Sequence, residues 1–230
     1  LPNLTEHRAD RPAGKRRWSG VPAADRQARR RELLLDAAFE LLGTEGWSGT
    51  SVRAVCERAR LNPRYFYESF ADLDALVIAV YDQIVHELSL EVLAALETSP
   101  GDPAAQAREA IRRIVAFVDE DRRRARVLYV EALGNEALNR RRLDTGHAIV
   151  AFIERYARAH QAGSEGTSAR RETAARLGAA VLVGGLSELL IEWLDGQIPL
   201  SRDQLVEDAT VLFLALGDAT ARLAGARVLR

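Results

Sequence analysis

Hydrophobic residues recur along this chain at spacings of three and four, stretch after stretch, and almost never in strict alternation. Leu34, Ala37, Ala38 and Leu41 form the first such stripe, in a helix expected to begin at Asp25. "GTEGWSGT" ends it, with Gly43, Gly46 and Gly49 reading as a loop. Thr50 or Ser51 can then cap a short second helix with Val52, Val55 and Ala59 facing inward. After a break at "ARL", Asn62 can satisfy a free backbone N–H, and Pro63 suits the first helical position, where its missing N–H costs nothing. This third helix is expected to run to about Phe70. Asp72 caps the next helix, with Asp74 in its first turn where the dipole favours negative charge. That helix is long, roughly 72–97, and "TSPGDP" stops it. Further helices are expected at roughly 103–119, 122–133, 136–161, 168–195 and 202–224. Their separators are "DEDR", "LGN", "HQAGSEGTS" and "DGQIP".

Two stretches break the usual one-sided pattern. "LGAAVLVGGLSELLIEWL", residues 177–194, is apolar almost all the way round, so it must be buried on every side. The last helix carries a broad stripe of Leu205, Ala209, Leu212, Phe213 and Leu216. A domain of this size has little core left to cover both. The economical solution is an isologous homodimer in which the two helices meet their copies as a four-helix bundle. Val181, Gly184, Gly185, Leu189, Leu205, Leu212, Phe213 and Leu216 are the expected interface, with the glycines letting backbones approach closely.

Composition agrees with the periodicity. The 230 residues, 47% hydrophobic and 28% charged, describe an ordinary globule long enough for a small domain fused to a larger one. Alanine, leucine, arginine and glutamate dominate, so the expected class is all-α, with about nine helices. The one cysteine, Cys56, lies in an apolar-periodic segment and reads as a buried thiol. The N-terminus has no apolar signal segment, and the uncharged run from Leu177 to Ser187 is too short to cross a bilayer, so a cytoplasmic protein with no membrane partner is expected. The chain begins at Leu1 and contains no methionine, which points to a sequence shorter than its natural product.

Charge is uneven. Residues 1–71 hold thirteen of the 32 basic residues against nine of the 33 acidic ones, and residues 1–31 alone hold nine against three. A basic front end on a chain of net charge −1 suggests an anionic partner at one end only. Residues 1–24, rich in proline, glycine and charge, read as a flexible basic arm. Arg29, Arg30 and Arg31 read as a solvated helix face, and Trp47 as a packing residue that seals its loop.

The third helix concentrates chemistry. "LNPRYFYESF", residues 61–70, holds four of the fourteen aromatic residues. Leu61, Phe66 and Phe70 share one face and should pack on the first two helices, while Arg64, Tyr65 and Glu68 point elsewhere and Tyr67 and Ser69 flank the edges. Two short helices joined by a tight turn form a helix-turn-helix, whose second member can enter the major groove of duplex DNA. The stretch "AAFELLGTEGWSGTSVRAVCERARLNPRYFYESFADLDAL" resembles the TetR family of transcriptional regulators in order and spacing, over roughly residues 28–76.

That resemblance implies a three-helix DNA-binding domain at 25–71 and a larger helical effector-binding and dimerisation domain at 72–230. It places Arg53, Pro63, Arg64 and Tyr65 at base edges, with Arg64 the best candidate for guanine. Thr50, Asn62, Tyr67 and Ser69 would hold phosphates, and Ser51 is counted with them. Arg60 stands where glycine is usual in the turn, and Leu73 where a lysine commonly meets a phosphate. Arg11, Lys15, Arg16 and Arg17 of the arm could supply that contact from a minor groove. The resemblance further implies a repressor that binds a palindromic operator as a homodimer. A small-molecule effector would release it by changing the separation of two recognition helices that must sit roughly 34–36 Å apart.

Aromatic or polar residues on inward faces, Phe117, Tyr129, His147, Phe152 and Trp193, are the expected effector pocket, with an apolar effector favoured. No enzyme, cofactor or metal site is expected: there is no G-x-S-x-G, no glycine-rich phosphate loop and no H-E-x-x-H, and His7, His86, His147 and His160 show no paired ligand spacing. The competing class is a helical small-ligand carrier or adaptor whose helix-turn-helix no longer binds DNA.

Overall fold

The computed structural model describes residues 23–97, 102–160 and 169–225, and every regular element among them is helical. The basic arm, with Arg11, Lys15, Arg16 and Arg17, lies outside the described residues. The first helix, α1, spans Ala23–Thr44, followed by α2 (Val52–Ala59), α3 (Pro63–Tyr67) and α4 (Leu73–Glu97). Then come α5 (Pro103–Glu120), α6 (122–134), α7 (Glu136–His160), α8 (Ala169–Leu194) and α9 (Arg202–Gly225). The expected helices are present to within a few residues, because side-chain caps fix their starts. Asp72 accepts from the Ala75 N–H at 2.8 Å, and Asp102 accepts from Ala104 and Ala105, with Pro103 as the first helical residue.

Three local features differ from expectation. The glycine loop after α1 contains a single helical turn, Gly46–Gly49. The helix α3 stops at Tyr67, because the chain turns at Glu68 and Ser69 to bring Phe70 back into the core. The helix α6 is not plain: Arg122–Ala125 and Ala132–Gly134 are α-helical, but Arg126–Glu131 between them is π-helical. In a π-turn the hydrogen bond runs between residues five apart, which stacks such residues on one side. Arg126 and Glu131, five apart, meet there at 2.8 Å.

One core runs through the molecule. Leu34, Leu42, Val55 and Phe66 close the N-terminal end, Leu76 and Val77 of α4 continue it, and Val115, Val127, Leu138, Leu190 and Leu205 carry it into the larger helical part. The helices α8 and α9 cross closely at Gly178, where an added Cβ would lie 2.5 Å from Thr220 Oγ1. Elsewhere α8 is poorly covered. By length and composition alone it could cross a membrane, and only 17% of its most apolar stretch is buried.

Candidate nucleic-acid interface

The site begins with how α2 and α3 are held. Ser51 caps α2, its Oγ accepting from the Ala54 N–H at 3.2 Å. Arg60 ends α2 in the left-handed region at φ 53°, ψ 41°, and its N–H donates to the Glu57 carbonyl at 3.2 Å. Asn62 starts α3 by accepting from the Arg64 N–H at 2.9 Å. Phe66 is fully buried, its ring centroid 5.2 Å from that of Tyr67 in an edge-to-face contact and 6.0 Å from that of Phe70. Leu61 and Leu73 pack at the border of this core. Position 73 is therefore a packing residue here.

The opposite face is polar and open. Ser51, Arg53, Asn62, Pro63, Arg64 and Tyr67 are all exposed, Tyr67 by 64%. Tyr65 is half-buried, its ring lying 4.4 Å from the Arg30 guanidinium. Two of the expected phosphate contacts, Thr50 and Ser69, are turned inward in this structure. Thr50 is buried and its hydroxyl donates to the Gly46 carbonyl at 2.8 Å. The Ser69 hydroxyl oxygen is buried without a hydrogen-bond partner. Both sit in turns, where residue type alone does not say which way a hydroxyl points.

Carboxylates hold both exposed arginines. Arg53 Nε lies 2.8 Å from Glu57, whose hydrogen bond and charge raise the guanidinium above its ordinary value and keep it cationic. Arg64 Nε lies 3.0 Å from Glu68 Oε1. Exposed i,i+4 pairs of this kind contribute little to stability. Behind α3, Arg30 approaches Glu68 at 3.5 Å and Gln27 donates to the Glu68 carbonyl at 3.3 Å. Arg30, expected on a solvated helix face, is instead largely covered, and sequence reasoning missed Gln27, since contacts spanning about forty residues leave no local spacing signal.

An exposed polar helix of this kind on a capped helix-turn-helix is the geometry of a major-groove reader. Residues 34–80 match the family model of bacterial regulatory proteins, TetR family. The chain carries a TetR-family DNA-binding domain. The whole fold is shared as well. A transcriptional regulator from Pseudomonas aeruginosa PAO1 superposes with a TM-score of 0.68 at 22% identity, covering 90% of this chain and 98% of the other. The fatty acid degradation regulator FadR from Bacillus halodurans gives 0.66 at 14% identity, covering 80% and 94%. A multidrug binding protein, EbrR, complexed with imidazole, gives 0.59 at 23% identity, covering 80% and 89%. The curated proteins searched contain no match to the sequence.

The TetR-family domain is seated on α6. Arg126 Nη1 donates to the Thr44 carbonyl at the end of α1, at 2.9 Å. Glu131 accepts from both Arg126 and the Trp47 N–H. Gly43 and Gly46 make room for this contact: a Cβ at Gly43 would lie 2.4 Å from Arg123 Cβ, and one at Gly46, which has φ +76°, 2.8 Å from Arg126. Arg123 also stacks on Phe39 and pairs with Asp121, whose carboxyl it holds below the ordinary range. At its first residue α6 also reaches α8, where Arg122 donates to the Leu194 carbonyl at 3.1 Å. A small cavity of about 200 Å³ lies alongside, between Phe39 and Asp36 of α1, Val80 and Ile84 of α4, and Arg124 of α6.

The expected effector residues line neither of the two cavities described here. Phe117 is buried in the core under the Arg124 guanidinium, at 4.0 Å. Tyr129 packs beside Tyr81, burial raising its phenol. Trp193 donates to the Leu200 carbonyl at 2.8 Å, and Phe152 rests on Tyr156. His147 is exposed, so the apolar stripe it appeared to share does not face inward there. The larger groove, about 650 Å³, is instead bordered by Ile153 and Glu154 of α7, Gly178 and Leu182 of α8, and Phe213 and Thr220 of α9. Leu205, expected at a dimer interface, is buried in the chain's own core. Val181 and Leu212 are 51% and 66% exposed, Gly184 and Gly185 face open space, and Leu189, Phe213 and Leu216 are half-buried.

Proposed function

We propose that this chain is a cytoplasmic, non-enzymatic repressor that binds a palindromic operator as a homodimer and releases it when a small, mainly apolar molecule binds the larger helical domain. The observation that carries the reading is the polar, exposed face of α3 set on a fully buried aromatic core. The division at 24/25 and 71/72 belongs to the same reading. Arm, reader and effector domain are then consecutive, with α4 and α6 as the two links between the last pair. On this reading Arg53 leaves its carboxylate for base edges and Arg64 turns its terminal nitrogens to them, while Tyr67, Asn62 and Ser51 face the phosphates. An effector needs to supply a coupling of only ~1–3 kcal/mol to release DNA.

The test is a band-shift titration against the DNA upstream of the protein's own gene across a range of salt. Specific binding to a palindrome that weakens steeply with salt is the expected result. Arg64→Ala should relax preference at one base position of each half-site, whereas Tyr67→Phe should weaken all sites about equally. A protein that ignores every duplex at low salt would instead be the helical carrier.

A further inference from the structure

Glu68 occupies an odd position for a surface that meets phosphate. It stands just past the end of α3, and its carboxylate touches two arginines at once. Its Oε2 lies 3.5 Å from Arg30 Nη2 on the α1 side, and its Oε1 lies 3.0 Å from Arg64 Nε on the outer side. The two arginines differ in what fixes them. Arg30 is 22% exposed and stacked on the Tyr65 ring, so it belongs to the framework. Arg64 is 81% exposed, and among the described residues its side chain bonds to Glu68 alone. Gln27, also on α1, donates to the Glu68 backbone carbonyl at 3.3 Å, so main chain and side chain of Glu68 are both tied to the first helix.

The atom that Glu68 grips matters. Guanine offers O6 and N7 to a pair of parallel N–H donors, and the two terminal nitrogens of arginine are such a pair. A carboxylate bonded at Nε fixes the guanidinium plane and leaves those terminal nitrogens free. An arginine so held gives up less side-chain entropy when it meets a base than a freely rotating one. The same carboxylate repels nearby phosphate whatever the sequence. Its two effects therefore act on different quantities: orientation favours one base, and charge lowers affinity for all duplexes.

We infer that Glu68 is the positioning residue that presents Arg64 to a guanine edge and thereby sets the sequence preference of α3 at one base pair. The inference rests on the proposed DNA-binding function and deepens it. The test is selection on randomised duplexes with the full-length protein, its Glu68→Ala and Glu68→Gln variants, and Arg64→Ala with and without Glu68→Ala. Wild type should prefer guanine at one position of each half-site. Glu68→Ala should reduce that preference on the order of tenfold, with unchanged melting temperature and no loss of affinity for random duplex. Glu68→Gln keeps an acceptor for Arg64 Nε without the charge, so it should retain most of the preference and bind random duplex more tightly. In the Arg64→Ala background, Glu68→Ala should change the preference no further. If Glu68→Ala and Glu68→Gln both keep the full preference that Arg64→Ala loses, the inference falls and DNA binding stands. If wild type binds no duplex, both fall together.

Discussion

Arg60 carries the backbone angle that the turn between α2 and α3 requires, and it carries it at a cost. An L-residue in the left-handed region loses about 1–2 kcal/mol to crowding of its Cβ, a loss glycine avoids in exchange for a smaller entropic one. Arg60→Gly should therefore stabilise the protein by about 1 kcal/mol and raise the melting temperature by roughly 2–4 °C at fixed protein concentration. A lower melting temperature would mean that the Arg60 side chain supplies more than the strain removes. Its neighbour Cys56 is the opposite case, a residue whose environment suppresses its chemistry. It is buried, and burial raises the thiol above its ordinary value, so little thiolate forms at pH 8. A colorimetric thiol reagent should label the native protein slowly and the denatured protein fully. Rapid native labelling would show an opening of α2 that its packing does not suggest. Both residues were legible in the sequence, Arg60 as an unexpected residue in a turn and Cys56 as one member of an apolar stripe. Thr50 and Ser69 were not, because their hydroxyls serve turns whose direction is set by the surrounding fold.

Helix starts were legible because they depend on local chemistry: Asn62 with Pro63, and Asp72, do what their side chains dictate. The π-helical turn in α6 was not, since "RVLYVE" contains no glycine or proline to mark it. Its cause is tertiary. Arg126 and Glu131 must meet in order to hold the Thr44 carbonyl and the Trp47 N–H together, and a plain α-helix would set residues five apart on different sides. The glycines opposite were read as loop formers, whereas Gly43 and Gly46 also yield space to α6. Gly46→Ala should cost about 2 kcal/mol from its positive φ alone, with the contact to Arg126 and Glu131 adding to it. Gly146→Ala, inside α7 with open space around it, should gain up to ~1 kcal/mol. Urea titration of the two variants should give opposite signs; equal effects would remove the steric argument. Asp121 gives this junction a pH dependence. Arg123 holds its carboxyl below the ordinary range, so the contribution is complete above that range and is lost as pH falls through the lowered value. Asp121→Asn should keep part of the α6 cap and lose this acid-side dependence, read as a flatter fall of melting temperature below pH 5.

For the molecule as a whole, the unresolved surface is the one along α8 and α9. Leu177, Val181, Val211 and Leu212 are each more than half exposed, and a Cβ added at Gly184, Gly185 or Gly217 would meet nothing within 4 Å. Burying side chains of this size gains about 1.5–3 kcal/mol each, and in an isologous interface every contact counts twice. That gain favours pairing with a second copy over leaving the strip in water. The periodicity showed that these helices need cover, but it could not tell which residues the chain itself buries. Leu205 proved to be core, and Leu212, seven residues on, proved open. The two positions therefore make a paired test. Leu212→Glu should leave the fold's melting behaviour at low concentration nearly unchanged and shift sedimentation from dimer to monomer at micromolar protein, weakening palindrome binding far more than half-site binding. Leu205→Ala should cost about 2–5 kcal/mol of stability through a core cavity and leave the assembled form dimeric. A wild-type chain that sediments as a monomer at all concentrations, or a Leu212→Glu variant that remains a dimer, would place the partner surface elsewhere and leave the exposed strip of α8 to another occupant.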